Sequence, residues 1–133
     1  MPRVTEFDIF VRSTDMDADM VVNNAVYFMY FEQGRLEHML NIGILQEGDD
    51  SRTFTLAETS CKFFAPAYHR DVLTVRTRTT EVRNRSFIFG YELINKKKGN
   101  VIAEGSSAQV WLDAEGRPTP LPPDIRRVLE ESL

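Results

Sequence analysis

The sequence predicts an α+β fold in which one antiparallel sheet of about five strands curves around one long helix. Two observations carry this prediction. A single helical segment is followed by four strand-like segments with short connections, and short connections join antiparallel neighbours. The helical segment is also apolar on more than one side, which is typical of a helix wrapped by other structure.

The first strand is predicted over residues 4–12, where apolar and polar residues alternate. Residues 13–22 carry three acids at alternate positions and no apolar period, so they form a loop. The long helix then begins at Asn23 or Asn24, either of which can cap its first turn. Residues 41–43 end it, because Asn and Gly adopt the left-handed conformation readily.

A polar loop over residues 47–52 precedes the remaining strands, which are rich in β-branched and aromatic residues. Residues 96–100 form a hairpin turn, and a proline-rich tail leads to a short final helix at about 123–131. The four strands are predicted at residues 53–65, 72–82, 86–95 and 101–112.

A single curved sheet leaves its edges exposed, which predicts self-association. Gly34 lies inside the long helix, where it costs about 1 kcal/mol relative to Ala. We therefore expect it to permit the close approach of a strand or of a partner chain.

Length and composition predict one domain over residues 1–133, in the cytoplasm. No apolar run is long enough to span a membrane, and the lone Cys61 excludes an internal disulfide framework. The formal net charge of −4 argues against nucleic-acid binding. A polyanionic small ligand remains possible because Arg83, Arg85 and residues 96–98 supply local cations.

Metal sites are not predicted. A calcium loop needs Gly at its sixth and Glu at its twelfth position, and the acidic loop has Met20 and Val26 there. Two His and one Cys provide no zinc-ligand set. His38 and His69 are expected at the surface, and Cys61 is expected to be a small core residue.

Residues 15–37 carry the chemistry, because an acidic loop runs directly into a capped helix. Helix N-termini present unpaired N–H groups and a partial positive charge, so they stabilise an oxyanion. A carboxylate just before such an end can attack a carbonyl held there, or activate water against it.

This segment resembles the signature of the 4-hydroxybenzoyl-CoA thioesterase family of hotdog-fold proteins, which is D-x-D followed by a helix start. Residues 57–78 and 81–93 also resemble that family's later strands, so the similarity covers about residues 4–112. The matching residues are Asp15, Asp17, Val22, Asn23, Asn24, Tyr27, Phe31, Glu32 and Arg35.

The resemblance implies a hotdog fold and hydrolysis of an acyl-CoA thioester, with no cofactor beyond the CoA of the substrate. It implies a homodimer or homotetramer with sites at subunit interfaces. Asp17 would be the catalytic nucleophile or general base. Apart from the resemblance, Asp15 is expected to order the loop through local hydrogen bonds. Backbone N–H groups of Val22, Asn23 and Asn24 would polarise the carbonyl, and Arg83, Arg85 and Ser86 would lie near the CoA phosphates.

Two further residues are candidates for the substrate cleft. Tyr27 belongs to an aromatic group that is either core or part of an acyl tunnel. Glu58 is assigned to the same strand face as Phe54 and Leu56, where it either points into the cleft or is an ordinary exposed residue.

The loop departs from the family pattern at Met20 and Val21, where many members have Gly and His. Gly tolerates backbone conformations that Met resists, which predicts a loop of altered shape. Two alternatives to acyl-CoA hydrolysis therefore stay open: an acyl carrier protein thioesterase, and a non-catalytic module that binds acyl ligands.

Overall fold

The computed structural model describes residues 3–46, 48 and 53–133. The predicted strands and final helix are found within a few residues of their expected bounds, whereas the long helix begins at Val26 instead of Asn23. The predicted polar loop at 47–52 lies outside the described residues except for Gly48. The elements are β1 (Val4–Phe10), α1 (Val26–Ile42), β2 (Phe54–Phe63), β3 (Val72–Val82), β4 (Ser86–Asn95), β5 (Val101–Trp111) and α2 (Pro123–Ser132).

The five strands form one sheet in the order β1-β3-β4-β5-β2, and all neighbours are antiparallel. Strands β1 and β2 are therefore its two edges. Helix α1 packs against the concave face, which confirms the predicted α+β layout. Within the described part of the chain, no helix is long and apolar enough to cross a membrane.

The period-two pattern of β4 explains how the sheet encloses the helix. Phe87, Phe89 and Leu93 are fully buried on the concave face, while the residues between them point to the convex face. Tyr30 and Phe31 of α1 are buried against this face. The core thus lies between one helix and one side of the sheet.

Glycine sets the small distance between α1 and the sheet. A Cβ atom on Gly34 would lie 2.7 Å from Thr77 Oγ1 and 2.8 Å from Val75 Cγ2, so only Gly lets β3 approach so closely. Across the sheet, a Cβ atom on Gly105 would overlap the ring of Phe31. The predicted close approach at Gly34 is thereby confirmed, and the neighbour is a strand of the same chain.

Helix α2 fastens the turn between β3 and β4. The guanidinium of Arg126 donates to the backbone carbonyls of Arg83 (2.6 Å) and Asn84 (3.0 Å). Leu121 N also donates to the Asn84 carbonyl at 3.0 Å, and Leu129 is fully buried. This end of the sheet is therefore held by side-chain and backbone contacts from the C-terminal segment.

The predicted surface position of His38 is wrong, because the side chain is fully buried. Its Nδ1 lies 2.7 Å from Thr5 Oγ1 and its Nε2 lies 3.1 Å from Thr79 Oγ1. The Ser132 hydroxyl is 2.7 Å from the same Thr79 oxygen, so the network joins β1, α1, β3 and α2. Burial, with a smaller contribution from Arg3, lowers the pKa of His38 to about 4. His69, in contrast, is exposed in a turn as predicted.

We expect His38 to make the protein sensitive to acid. Because the folded chain keeps this imidazole neutral while the unfolded chain protonates it near pH 6.5, stability is full above that pH and falls as the pH drops toward 4. Between pH 6.5 and 4.5 the loss should be about 2 to 3 kcal/mol.

Urea unfolding of the wild type and a His38→Gln variant at both pH values measures this loss. The carboxylates titrate alike in both proteins, so the difference between their pH dependences isolates His38. Equal pH dependence in the two proteins would contradict the assignment.

Candidate active site

The acidic loop, residues 13–22, is a tight hairpin that leads from β1 to α1. Asp17 N donates to the Val21 carbonyl at 2.8 Å, and Met20 N donates to the Asp17 carbonyl at 3.1 Å. Met16 and Val22 form an antiparallel bridge across its base. The half-buried Asp17 therefore occupies a fixed backbone position, and its Oδ1 accepts from Asp19 N at 2.8 Å.

Met20 adopts the conformation that glycine favours. Its φ of 64° lies in the left-handed region, and its side chain is 70% exposed. Met is tolerated because the side chain projects into solvent, at a backbone cost of roughly 1 kcal/mol. Met20 therefore adopts the left-handed backbone conformation that Gly would favour here, and the replacement of Gly by Met costs backbone strain instead of changing the conformation.

Asp15 anchors the loop to the helix. Its side chain is only 3% exposed, and it accepts hydrogen bonds from Tyr30 Oη (2.8 Å) and from the backbone N and guanidinium of Arg12 (3.0 and 3.1 Å). Its backbone carbonyl accepts from Asn23 N at 2.9 Å. Burial raises the pKa of Asp15, but the hydrogen bonds from Arg12 and Tyr30 outweigh it and hold the pKa below its usual value. Asp15 therefore makes the local hydrogen bonds that were predicted for it.

Of the three predicted oxyanion amides at the start of α1, one has no backbone partner among the described residues. The predicted cap by Asn23 or Asn24 is not formed, because Ala25 occupies the N-cap position without a side-chain hydrogen bond. The Asn23 side chain instead accepts from Ala25 N at 2.9 Å in a local turn that precedes the helix. Two of the three predicted oxyanion amides are engaged elsewhere, because Val22 N donates to the Ala67 carbonyl and Asn23 N to the Asp15 carbonyl. Asn24 is exposed, and its N–H has no partner among the residues that the structure describes. Asn24 is thus the amide available to a ligand oxygen.

Tyr27 packs against β2 at the start of α1. Its ring is 3% exposed and meets Phe63 edge-on, with centroids 5.0 Å apart. Burial raises the pKa of the Tyr27 hydroxyl; the nearby Cys61 and Asp17 raise it further, whereas a hydrogen bond from the Ala67 backbone lowers it. Cys61 is half-buried, so the predicted core position is met only in part.

The two carboxylates of the D-x-D motif have different surroundings. Asp15 and Tyr30 line a cavity of about 230 Å³ beside the edge strand β1. Asp17, in contrast, is half-buried and accepts its hydrogen bond from Asp19 N of the same loop, and its charge raises the pKa of Tyr27. Sequence reasoning treated Tyr30 as plain core and gave no role to Ala67, although a buried tyrosine generally needs a partner for its hydroxyl.

The predicted face of Glu58 is wrong because of a β-bulge. Residues directly opposite each other on antiparallel strands share a face. Leu56 lies opposite Gln109, whereas Glu58 lies opposite Ala108, and the register shifts between Leu56 and Glu58. The extra residue turns Glu58 to the convex face, where it is exposed and away from Leu56.

The predicted phosphate-binding residues lie at the other end of the sheet from Asp17. Strand β3 begins beside the acidic loop and ends 11 residues later at the turn that carries Arg83 and Arg85, which corresponds to about 33 Å. Arg83 pairs with Glu81, and the exposed Arg85 has no ion-pair partner in the described ranges. Ser86 begins β4 at the same turn. One chain therefore does not bring these residues to Asp17.

The sequence between residues 11 and 129 matches the model of the thioesterase-like superfamily. The chain belongs to this superfamily. The match confirms the predicted family resemblance and the predicted enzyme class, a thioesterase. Among the described residues of this thioesterase, no three His, Cys, Asp or Glu side chains are grouped to hold a metal ion.

Relatives and solved structures agree with this assignment. The chain is 30% identical over 128 residues to the acyl-acyl carrier protein thioesterase ATL3 of Arabidopsis thaliana, covering 95% of this chain and 67% of that relative. It is 26% identical over 114 residues to the acyl-CoA thioester hydrolase YbgC of Escherichia coli, covering 84% of each. The structure of a predicted thioesterase from Bacillus stearothermophilus superposes with a TM-score of 0.88 at 26% identity, over 98% and 97% of the two chains. The hotdog fold is thereby confirmed.

We expect removal of the Tyr30 hydroxyl to loosen the acidic loop. In Tyr30→Phe, Asp15 loses its bond to α1, so the kcat for thioester hydrolysis should fall about tenfold with a smaller change in KM. Steady-state kinetics with an acyl-CoA substrate measures both constants.

Tyr91→Phe is the matched control. Tyr91 is also a buried tyrosine, and its hydroxyl bonds Arg35 and Ser107 away from the acidic loop. It should lose comparable thermal stability while keeping the wild-type kcat. Equal kcat losses in the two variants would mean that Tyr30 acts only through general stability.

Proposed function

We propose that this protein hydrolyses an acyl-CoA thioester to the free acid and CoA, with Asp17 as nucleophile or general base. The observation that supports this most directly is that the Asp17 carboxylate and an unpaired backbone amide, that of Asn24, belong to the same short segment of the chain. The half-buried carboxylate of Asp17 sits in a rigid hairpin, and that hairpin leads into a helix start where the Asn24 amide is unpaired. A thioester carbonyl placed between them meets a base or nucleophile and an oxyanion donor.

The chemistry follows from this arrangement. As the thioester carbon is attacked, its oxygen becomes negative and is stabilised by the Asn24 N–H and by the positive end of α1. Asp17 either attacks the carbon itself, giving an anhydride that water then cleaves, or accepts a proton from the attacking water. In both routes the C–S bond breaks, and CoA leaves as a thiolate that takes up a proton.

Cys61 does not compete with Asp17 as a nucleophile. Burial raises the pKa of the Cys61 thiol to about 11, so the thiol stays protonated and weakly nucleophilic at neutral pH. Cys61, Tyr27 and Phe63 instead provide an apolar wall for the acyl group next to the reacting carbonyl.

A second copy of the chain completes the proposed site. Strand β2 is an edge strand, and it exposes Leu56 (42%) and Phe63 (45%), which is a surface suited to pairing. Antiparallel pairing of β2 with its own copy would set the Phe54 end of one strand beside the Phe63 end of the other. Phe54 lies opposite Trp111, whose N donates to the Arg85 carbonyl at 2.8 Å. Cations of the partner subunit would thus reach the CoA phosphates at Asp17.

An acyl carrier protein thioester is the second candidate substrate. It is favoured by the relative from Arabidopsis thaliana, whose name gives that activity. A non-catalytic acyl-binding module is the third, and the left-handed backbone of Met20 argues against it, because the loop adopts a glycine-like conformation. Parallel assays with one acyl group on CoA and on carrier protein separate the first two.

We expect Asp17→Asn to lower kcat at least about a hundredfold, because the amide neither attacks nor accepts the proton. Rates are measured on purified protein with aromatic, short, medium and long acyl-CoA thioesters. Asp19→Asn is the matched control, since Asp19 is an exposed acid of the same loop, and it should keep the wild-type rate. An Asp17→Asn protein that is folded by circular dichroism and fully active refutes the proposal.

We expect complementation between two defective variants if the site spans two chains. Asp17→Asn removes the carboxylate, and an Arg83→Glu, Arg85→Glu double variant reverses the cations. Random mixing makes about half of the dimers mixed, and each mixed dimer has one of its two sites with both elements intact. About a quarter of the wild-type rate should therefore be restored.

Each variant alone should stay defective, and co-refolding supplies the mixed sample. No recovery, despite subunit exchange shown by mass spectrometry, would contradict a site shared between subunits.

A further inference from the structure

An apolar band lies on the convex face at the end of the sheet next to the acidic loop. Phe10 (56% exposed) and Val72 (37%) sit opposite each other on β1 and β3. Ile94 and Val101, both half-buried, sit opposite each other on β4 and β5. Buried residues alternate with them along the strands, so these four side chains point away from the core. We refer to Phe10, Val72, Ile94 and Val101 as the end band.

Cations border the end band. The turn that follows β4 carries Lys96, Lys97 and Lys98, all exposed, and Lys96 N donates to the Val72 carbonyl at 3.0 Å. Lys96 pairs with Asp8, which lies two residues before Phe10 on β1. Lys97 and Lys98 have no ion-pair partner in the part of the chain that the structure describes. The turn is therefore a cationic edge on a chain whose formal net charge is −4.

We propose that the end band and its lysine turn dock on the surface of an anionic lipid bilayer. Apolar side chains beside lysines are suited to the boundary between acyl chains and headgroups, where the aliphatic stems pack and the ammonium groups meet lipid phosphates. Each cation near an anionic surface adds to binding, and the contribution is screened by salt.

A second copy of the chain is a poorer occupant of this face. Four side chains at one end of the sheet fall short of the roughly 800 Å² per partner that a stable protein interface buries. A second copy would also cover the lysine turn, and Asp8, the acid beside it, is already paired. A bilayer needs only shallow insertion and supplies the counter-charge itself.

Docking in this orientation would place the proposed site at the membrane surface. The acidic loop follows β1 directly after Phe10, and Val22 N contacts Ala67 just beyond the end of β2. Long-chain acyl thioesters partition into bilayers, so the enzyme would meet them there. This last step rests on the proposed function, whereas lipid binding itself does not.

Vesicle flotation with the full chain tests the docking. The wild type should bind vesicles of phosphatidylcholine with phosphatidylglycerol, bind phosphatidylcholine alone weakly, and lose binding in high salt. A Lys97→Glu, Lys98→Glu variant and a Phe10→Ser variant should each lose at least about tenfold in partitioning. Matched controls at the other end, Arg117→Glu with Arg127→Glu and Leu133→Ser, should bind like the wild type.

Three results would overturn the proposal. One is failure of the wild type to bind the anionic vesicles, and another is equal loss of binding in the end-band and control variants. The third is a smaller native mass for Phe10→Ser than for the wild type, because a second copy would then cover the band. Thioester hydrolysis in the absence of lipid is measured separately, so loss of docking and loss of catalysis are distinguished.

Discussion

The carboxylate of Asp15 connects the end of β1, the acidic loop and α1. It accepts hydrogen bonds from the Tyr30 hydroxyl of α1 and from the backbone N and guanidinium of Arg12, just after β1. The backbone carbonyl of Asp15 accepts a further hydrogen bond from Asn23 N, before the start of α1. The acidic loop is therefore attached to both of its neighbours through one buried residue. This attachment helps to position Asp17, whose own side chain accepts a hydrogen bond from Asp19 N within the loop.

Sequence reasoning succeeded where the determining interactions are local. The alternation along β1 and the small size of Gly34 depend on residues a few positions apart or on one steric requirement. It failed where distant residues decide. His38 is buried because Thr5 and Thr79 supply hydroxyls from two other strands, and the helical pattern around His38 carries no trace of them.

The candidate site shows the same division. The motif identified Asp17 and the helix start. It did not show which backbone amides are available, because Val22 N is engaged by the carbonyl of Ala67, more than forty residues away. Glu58 changed faces through a bulge that only the pairing with β5 reveals. Composition and periodicity specify which face a strand buries, whereas an inserted residue that reverses the face leaves no mark on them.

The separation of Asp17 from Arg85 along β3 has an evolutionary consequence. Substitutions at the turn that carries Arg85 are separated from the acidic loop by the full length of β3, so selection can change one without disturbing the other. After gene duplication, one paralogue could keep the acid while its sister kept the cations. Such a pair would survive only as an obligate heteromer, with each gene complementing what the other had lost.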